Sequence, residues 1–227
     1  RLPNGYLQVM KRYAKARGAT INDLILTAIY RAMFEISKPP YGVPMDIPVT
    51  IDLRKYLPEN KAEAIRNLSG GIVTRMPRVM NETFEATLSR VMSLTEEIRK
   101  GHPDIKNLML AESIEKMSFY QICAYFKAVS QFIEMASRNP FYIIDKCCPI
   151  LSNFGFISKS LIKFGDNAVT DAYIIPPVVR APGIILVAST YNSIITLGVG
   201  YYEPSAQRAD MERLLNKIKD ELVEGCK

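Results

Sequence analysis

Apolar residues recur at helical spacing in some stretches of the chain and at every second position in others, which predicts helices interleaved with strands. From Tyr6 to Arg17, Leu7, Val9, Met10 and Tyr13 mark a short helix that stops at Gly18, a residue suited to a left-handed terminus. A second helix follows at once. Thr20 can cap its first amides and Asp23 can return the bond, and Ile21, Leu24, Ile25, Ala28, Ile29 and Ala32 form an apolar face fit to lie against a sheet. Pro39-Pro40 ends that region. Alternation then predicts a strand over Ile47 to Leu53 and, after the polar stretch to Leu68 and the Gly70-Gly71 pair, a second over Ile72 to Met76, with a hairpin-like return open between them.

From Asn81 to about Ser137 the pattern is helical. Phe84, Leu88, Val91 and Met92 give one amphipathic segment ending at Gly101, and the stretches Ile105 to Ile114 and Phe119 to Met135 are apolar on more than one side. The aromatic stripe Phe119, Tyr120, Tyr125, Phe126 and Phe132 is read as core. Strands follow at Cys148 to Phe154 and Asp171 to Pro176. Two strongly β-prone runs, Gly183 to Thr190 and Ser193 to Tyr201, flank a tight turn placed at Tyr191-Asn192. Ala206 to Val223 closes the chain as an amphipathic helix. The order predicts one α+β domain over residues 1–227, a mixed sheet flanked by helices.

Composition adds limits. With 227 residues, 48% of them hydrophobic, the chain can bury a sizeable core. Lys and Arg outnumber Asp and Glu by 29 to 23, a net +6, but the cations are dispersed in groups such as Lys11, Arg12, Lys15 and Arg17. That reads as a solvated helix face, and no nucleic-acid partner is expected. No apolar run is long enough to span a bilayer. Cys123, Cys147, Cys148 and Cys226 show no zinc or redox spacing, so the expectation is a reduced, cytoplasmic protein. The opening Arg1-Leu2-Pro3-Asn4-Gly5 reads as a connection within a longer chain.

Catalytic sets are scarce. The single histidine, His102, lies in Gly101-His102-Pro103, a turn context, and no Ser, His and Asp set can be assembled around it. Glu96-Glu97 reads as a solvated face, because adjacent helix residues point apart. Glycine-rich nucleotide motifs and the H-E-x-x-H zinc motif are missing from the sequence, and no metal site or permanently bound cofactor is expected.

Four segments nevertheless occur in a meaningful order. Thr20-Ile21-Asn22-Asp23 with Leu26 and Ala28 is similar to the T-x-N-D helix of alcohol acetyltransferases and condensation-like domains. Val49 to Arg54 resembles their V-x-x-D-L-R strand, Asn67 to Gly70 their N-x-x-G, and Ser152 to Gly155 their S-N-x-G. The chain thus resembles the C-terminal lobe of the chloramphenicol acetyltransferase-like two-lobed superfamily. That resemblance implies an acyl donor, acyl-CoA or an acyl-carrier protein, meeting an alcohol or amine acceptor in a tunnel between lobes. It also implies that the catalytic HHxxxDG motif lies in an N-terminal lobe, that no catalytic residue lies in this chain, and that the fragment is inactive alone. Arg54, with Asp52 beside it, would then pair across the lobes with that motif's aspartate, or be a strand-end surface charge. Ser152, Asn153 and Gly155 would line the tunnel, their donors orienting a substrate carbonyl, or would only serve a strand end. Without its partner lobe the chain would expose apolar surface and self-associate. The alternative is a non-catalytic module that docks an acidic carrier protein or subunit through its positive charge.

Overall fold

The computed structural model describes residues 1–56, 68–100, 113–114, 116–137, 149–159, 162, 164–178, 183–203 and 206–227. Asn67, His102, Cys147, Cys148 and nearly all of the expected helix from Ile105 lie outside the described residues. Helices α1 (Tyr6–Arg17) and α2 (Ile21–Ser37) lead into strand β1 (Pro44–Asp52), which a turn of 3-10 helix at Leu53–Tyr56 closes. There follow β2 (Ser69–Pro77), α3 (Phe84–Lys100), α4 (Phe119–Ser137), β3 (Pro149–Phe156), β4 (Ile184–Tyr191), β5 (Ile194–Tyr201) and α5 (Arg208–Gly225). The sheet order is β2-β1-β3-β4-β5, with parallel pairing in the middle and antiparallel pairing at both edges. The expected α+β mixed sheet with flanking helices is what the chain forms.

Local chemistry sets the first boundaries. Gly18 takes the left-handed conformation that ends α1, with φ 68°. Thr20 and Asp23 form the reciprocal capping box: Thr20 Oγ1 accepts from the Asp23 amide at 3.1 Å, and the Asp23 carboxylate accepts from the Thr20 amide at 2.8 Å. From that start α2 lays its apolar face on the sheet. The Tyr30 hydroxyl hydrogen-bonds Thr74 Oγ1 at 2.8 Å and lies 3.4 Å from the Met45 carbonyl as a donor, while Thr74 Oγ1 donates to the Ile47 carbonyl, and these bonds pin α2 over β1 and β2. On the helix-packed face of the sheet, Ile47, Val49, Leu151, Leu186 and Ile195 are buried. Residues one step along each strand point to the opposite face.

Several boundaries differ from the pattern. Gly70 and Gly71 sit inside β2, paired with Ile51 and Thr50, because the ladder with β1 runs on to Asp52–Ser69. The β4–β5 turn is Asn192-Ser193, both left-handed at φ 47° and 63°, one residue later than the sequence suggests. Tyr191 cannot join it, since its ring is buried in the strand and its hydroxyl donates to the Val169 carbonyl at 2.7 Å. Asp171 to Pro176 is not a strand. β5 already occupies the outer edge of β4, and this segment crosses the sheet face instead: the Ile174 amide donates to Ser189 Oγ at 3.2 Å, and Pro176-Pro177 press on β5 at Gly198 and Gly200. A Cβ at Gly200 would collide with the Pro177 carbonyl, so the glycine is required there.

In the aromatic stripe of α4, Tyr125 is half-buried, the side chain of Phe132 lies outside the described residues, and the other three rings are not core. Phe119, Tyr120 and Phe126 are 74%, 83% and 53% exposed. Their periodicity is real, but no described element packs over them.

Candidate functional site

Three of the four motif segments lie side by side at one end of the sheet. β1 brings Thr50 and Asp52, β2 brings Ser69 and Gly70, and β3 brings Ser152, Asn153 and Gly155. The fourth arrives through space, because the N-terminus of α2 packs over the end of β3: Asn153 Nδ2 donates to Asn22 Oδ1 at 3.4 Å. Residues more than a hundred positions apart in sequence are thereby joined.

Strand alternation separates Ser152 from Asn153. Ser152 points to the face away from the helices, where its Oγ accepts from Thr50 Oγ1 at 2.9 Å and, among the described residues, its own proton is left to donate. Asn153 points to the helix side, where its Oδ1 accepts from the Gly155 amide at 2.9 Å. That bond closes a small turn in which Gly155 adopts φ 66° and the β3–β4 register shifts between Asn153 and Phe156. The amide thus holds a bulge while the neighbouring hydroxyl stays presentable. The two side chains do not converge on one point, which the S-N-x-G spacing alone could not reveal.

Asp52 and Arg54 sit where β1 passes into the 3-10 turn. Asp52 Oδ1 accepts from the Arg54 amide at 3.0 Å and from Arg54 Nη1 at 3.1 Å, and about half of each side chain is exposed. This is a local, solvated pair of small energetic weight. Asp23, by contrast, is buried and fully engaged, with Thr95 Oγ1 donating to Oδ1 at 2.9 Å and Thr20 Oγ1 to Oδ2 at 2.7 Å. It anchors the start of α2 to α3.

Behind the bulge lies a cleft of about 70 Å³ between Leu7 of α1, Ile21 and Ile25 of α2, and Ala188 and Ile195 of the terminal hairpin. Asn153, Gly155 and Thr190 also line it. Sequence reasoning assigned no role to Asn22 or Thr190; only the T-x-N-D spacing marked the first, and nothing in the sequence marked the second. Among the described residues no group of three or more His, Cys, Asp or Glu side chains could hold a metal ion. No described helix is long and apolar enough to cross a membrane.

No protein-family model and no curated protein matches the chain by sequence. Solved structures match it over essentially its whole length. The condensation domain from Monacolin K polyketide synthase is 11% identical, with a TM-score of 0.66 and coverage of 100% of this chain and 46% of that one. The trichothecene 15-O-acetyltransferase of Fusarium sporotrichioides is 14% identical, with a TM-score of 0.65 and the same coverage. The epimerization domain from the third module of tyrocidine synthetase B is 12% identical, with a TM-score of 0.63 and coverage of 99% and 46%. The fold is therefore that of condensation domains and chloramphenicol acetyltransferase-like acetyltransferases, as the four segments implied. The chain spans about half the length of the structures it matches.

Proposed function

We propose that this chain is the C-terminal lobe of an acyltransferase that moves an acyl group from CoA or a carrier protein to an alcohol or amine, and that it is inactive alone. The observation that carries the reading is the meeting of the T-x-N-D helix, the D-L-R strand and the S-N-x-G strand at one sheet end, within a fold that acyl-transferring proteins share.

In this reading a histidine of the N-terminal lobe takes the acceptor proton, since no described residue here forms a general-base set. This chain supplies position and polarity. Ser152, its oxygen already satisfied by Thr50, has a proton to give to the donor carbonyl as negative charge develops. Asn153 and Gly155 shape the strand end that holds Ser152 in place. Arg54 exchanges its exposed local partner, Asp52, for a carboxylate of the other lobe, a change that costs little because the present pair is solvated.

The test compares this chain with the full-length protein, using acetyl-CoA and a panel of alcohols and amines. Turnover is expected from the full-length protein only, and Ser152→Ala should lower its kcat about a hundredfold or more, the scale of a lost oxyanion donor. Robust turnover by the chain alone would overturn the reading.

A further inference from the structure

We propose that the cleft behind the β3 bulge binds a short acyl group of about three to four carbons, with its oxygen end at Asn153 and Thr190. The size comes from the volume: about 70 Å³, judged against a water's share of about 30 Å³ in the liquid, takes the two- to three-carbon alkyl tail of such a group, with its carbonyl carbon and oxygen at the polar part of the lining. A fatty acyl chain does not fit.

The walls are right for an alkyl tail. Leu7, Ile25, Ala188 and Ile195 are each at most 2% exposed, and Ile21 completes the lining. Polar capacity is confined to one part of the lining. Thr190 is 7% exposed, its backbone carbonyl accepts from Ile157, and among the described residues its hydroxyl makes no hydrogen bond. Asn153 spends one amide proton on Asn22 and retains the other. A hydroxyl and an amide proton without partners among the described residues, next to an apolar recess, match a carbonyl or carboxylate joined to a short chain. Phe156 also lines the cleft, and its ring is held by Lys11, whose Nζ lies 4.8 Å from the ring centroid.

Two sources share this chemistry, a free short-chain carboxylate and the acyl end of a thioester. The choice of an acyl ligand rests on the acyl-transfer reading; the cleft and its lining do not, and because the cleft lies on the helix side of the sheet, an acyl group held there is separate from the carbonyl that Ser152 meets on the opposite face. The experiment is a methyl-resolved NMR titration of the chain itself with butyrate, S-butyrylpantetheine and decanoate.

Saturable shifts at Leu7, Ile25 and Ile195 are expected with a four-carbon ligand and none with decanoate, with a Kd on the order of 1 mM for so few atoms. Response to butyrate alone assigns the free acid, and response to the thioester assigns the acyl end. Ala188→Val, which fills the recess, and Thr190→Val, which removes the hydroxyl at constant shape, should each weaken binding at least tenfold. Circular dichroism checks that both variants fold. Absence of a saturable shift with either four-carbon ligand, or undiminished binding by both folded variants, would overturn the proposal. A binding readout keeps the two ideas separable: a failed acyltransferase assay leaves the cleft standing, and a failed titration leaves acyl transfer standing.

Discussion

Helices α2 and α4 have the same mean hydropathy and similar lengths, yet they live in opposite environments. α2 buries Leu24 to Tyr30 without interruption between the sheet, α3 and α5. α4 displays Phe119, Tyr120 and Phe126 to solvent. Apolar content says that a helix has a face worth covering; the elements around it decide whether anything covers it. In α2 the cover is built into the chain, through the Thr20–Asp23 cap, the Tyr30–Thr74 bond and the ion pair of Arg31 with Glu221 of α5. No such tie fixes the exposed face of α4 among the described residues.

The largest expected contrast follows from that difference. Leu24→Ala or Ile25→Ala should lower stability by about 2–5 kcal/mol in chemical denaturation, the usual cost of emptying a packed core site. Phe126→Ser in α4 should change it by no more than about 0.5 kcal/mol. Equal losses would erase the distinction between the two helices. Next in size is Gly200→Ala, where the added methyl meets the Pro177 carbonyl; a loss of about 1–3 kcal/mol is expected, read as a lower Tm.

High pH tests the buried side of the comparison. Burial is the main reason that the Tyr6 hydroxyl, which donates to the Leu222 and Val223 carbonyls at the end of α5, is pushed up to about 12, with Cys226 adding to it. Burial also pushes the Cys226 thiol up to about 11. Both groups ionise more easily when unfolded, at their ordinary values of 10.0 and 9.0. The stability they contribute is whole below about pH 9 and declines as pH rises toward 11 and 12. Tyr6→Phe should flatten that alkaline loss in pH-dependent unfolding. Iodoacetamide at pH 8 should label exposed Cys123 of α4 well before buried Cys226.

The smallest effects belong to exposed groups. Arg54→Ala should cost this chain under about 1 kcal/mol, since it removes only a solvated pair. Replacing Phe119 and Phe126 together by Ser should barely alter Tm but should reduce concentration-dependent self-association in light scattering. Unchanged association would assign it to another surface.

Much of the architecture was legible because its signals are local. The Thr20–Asp23 box, the Gly18 stop and the apolar spacing of α1, α2, α3 and α5 each act within a few residues, so the chain declares them one element at a time. The alternation of β4 and β5 declared a hairpin in the same way, and the turn slipped by one residue only because Tyr191 is held by burial and by Val169, a tertiary contact. Asp171 to Pro176 misled for a similar reason: β-prone residues crossing a sheet face carry the same pattern as residues pairing with its edge.

The site divides along the same line. The order of the T-x-N-D, D-L-R and S-N-x-G segments and the absence of the HHxxxDG motif stand in the sequence, as do the residues available for chemistry. Only the tertiary structure could bring Asn22 to Asn153, turn Ser152 and Asn153 to opposite faces, close the cleft over Thr190 and leave Phe119, Tyr120 and Phe126 of α4 exposed. Those outcomes depend on register, strand alternation and packing between segments far apart in the chain, and none of these is written in the spacing of neighbouring residues.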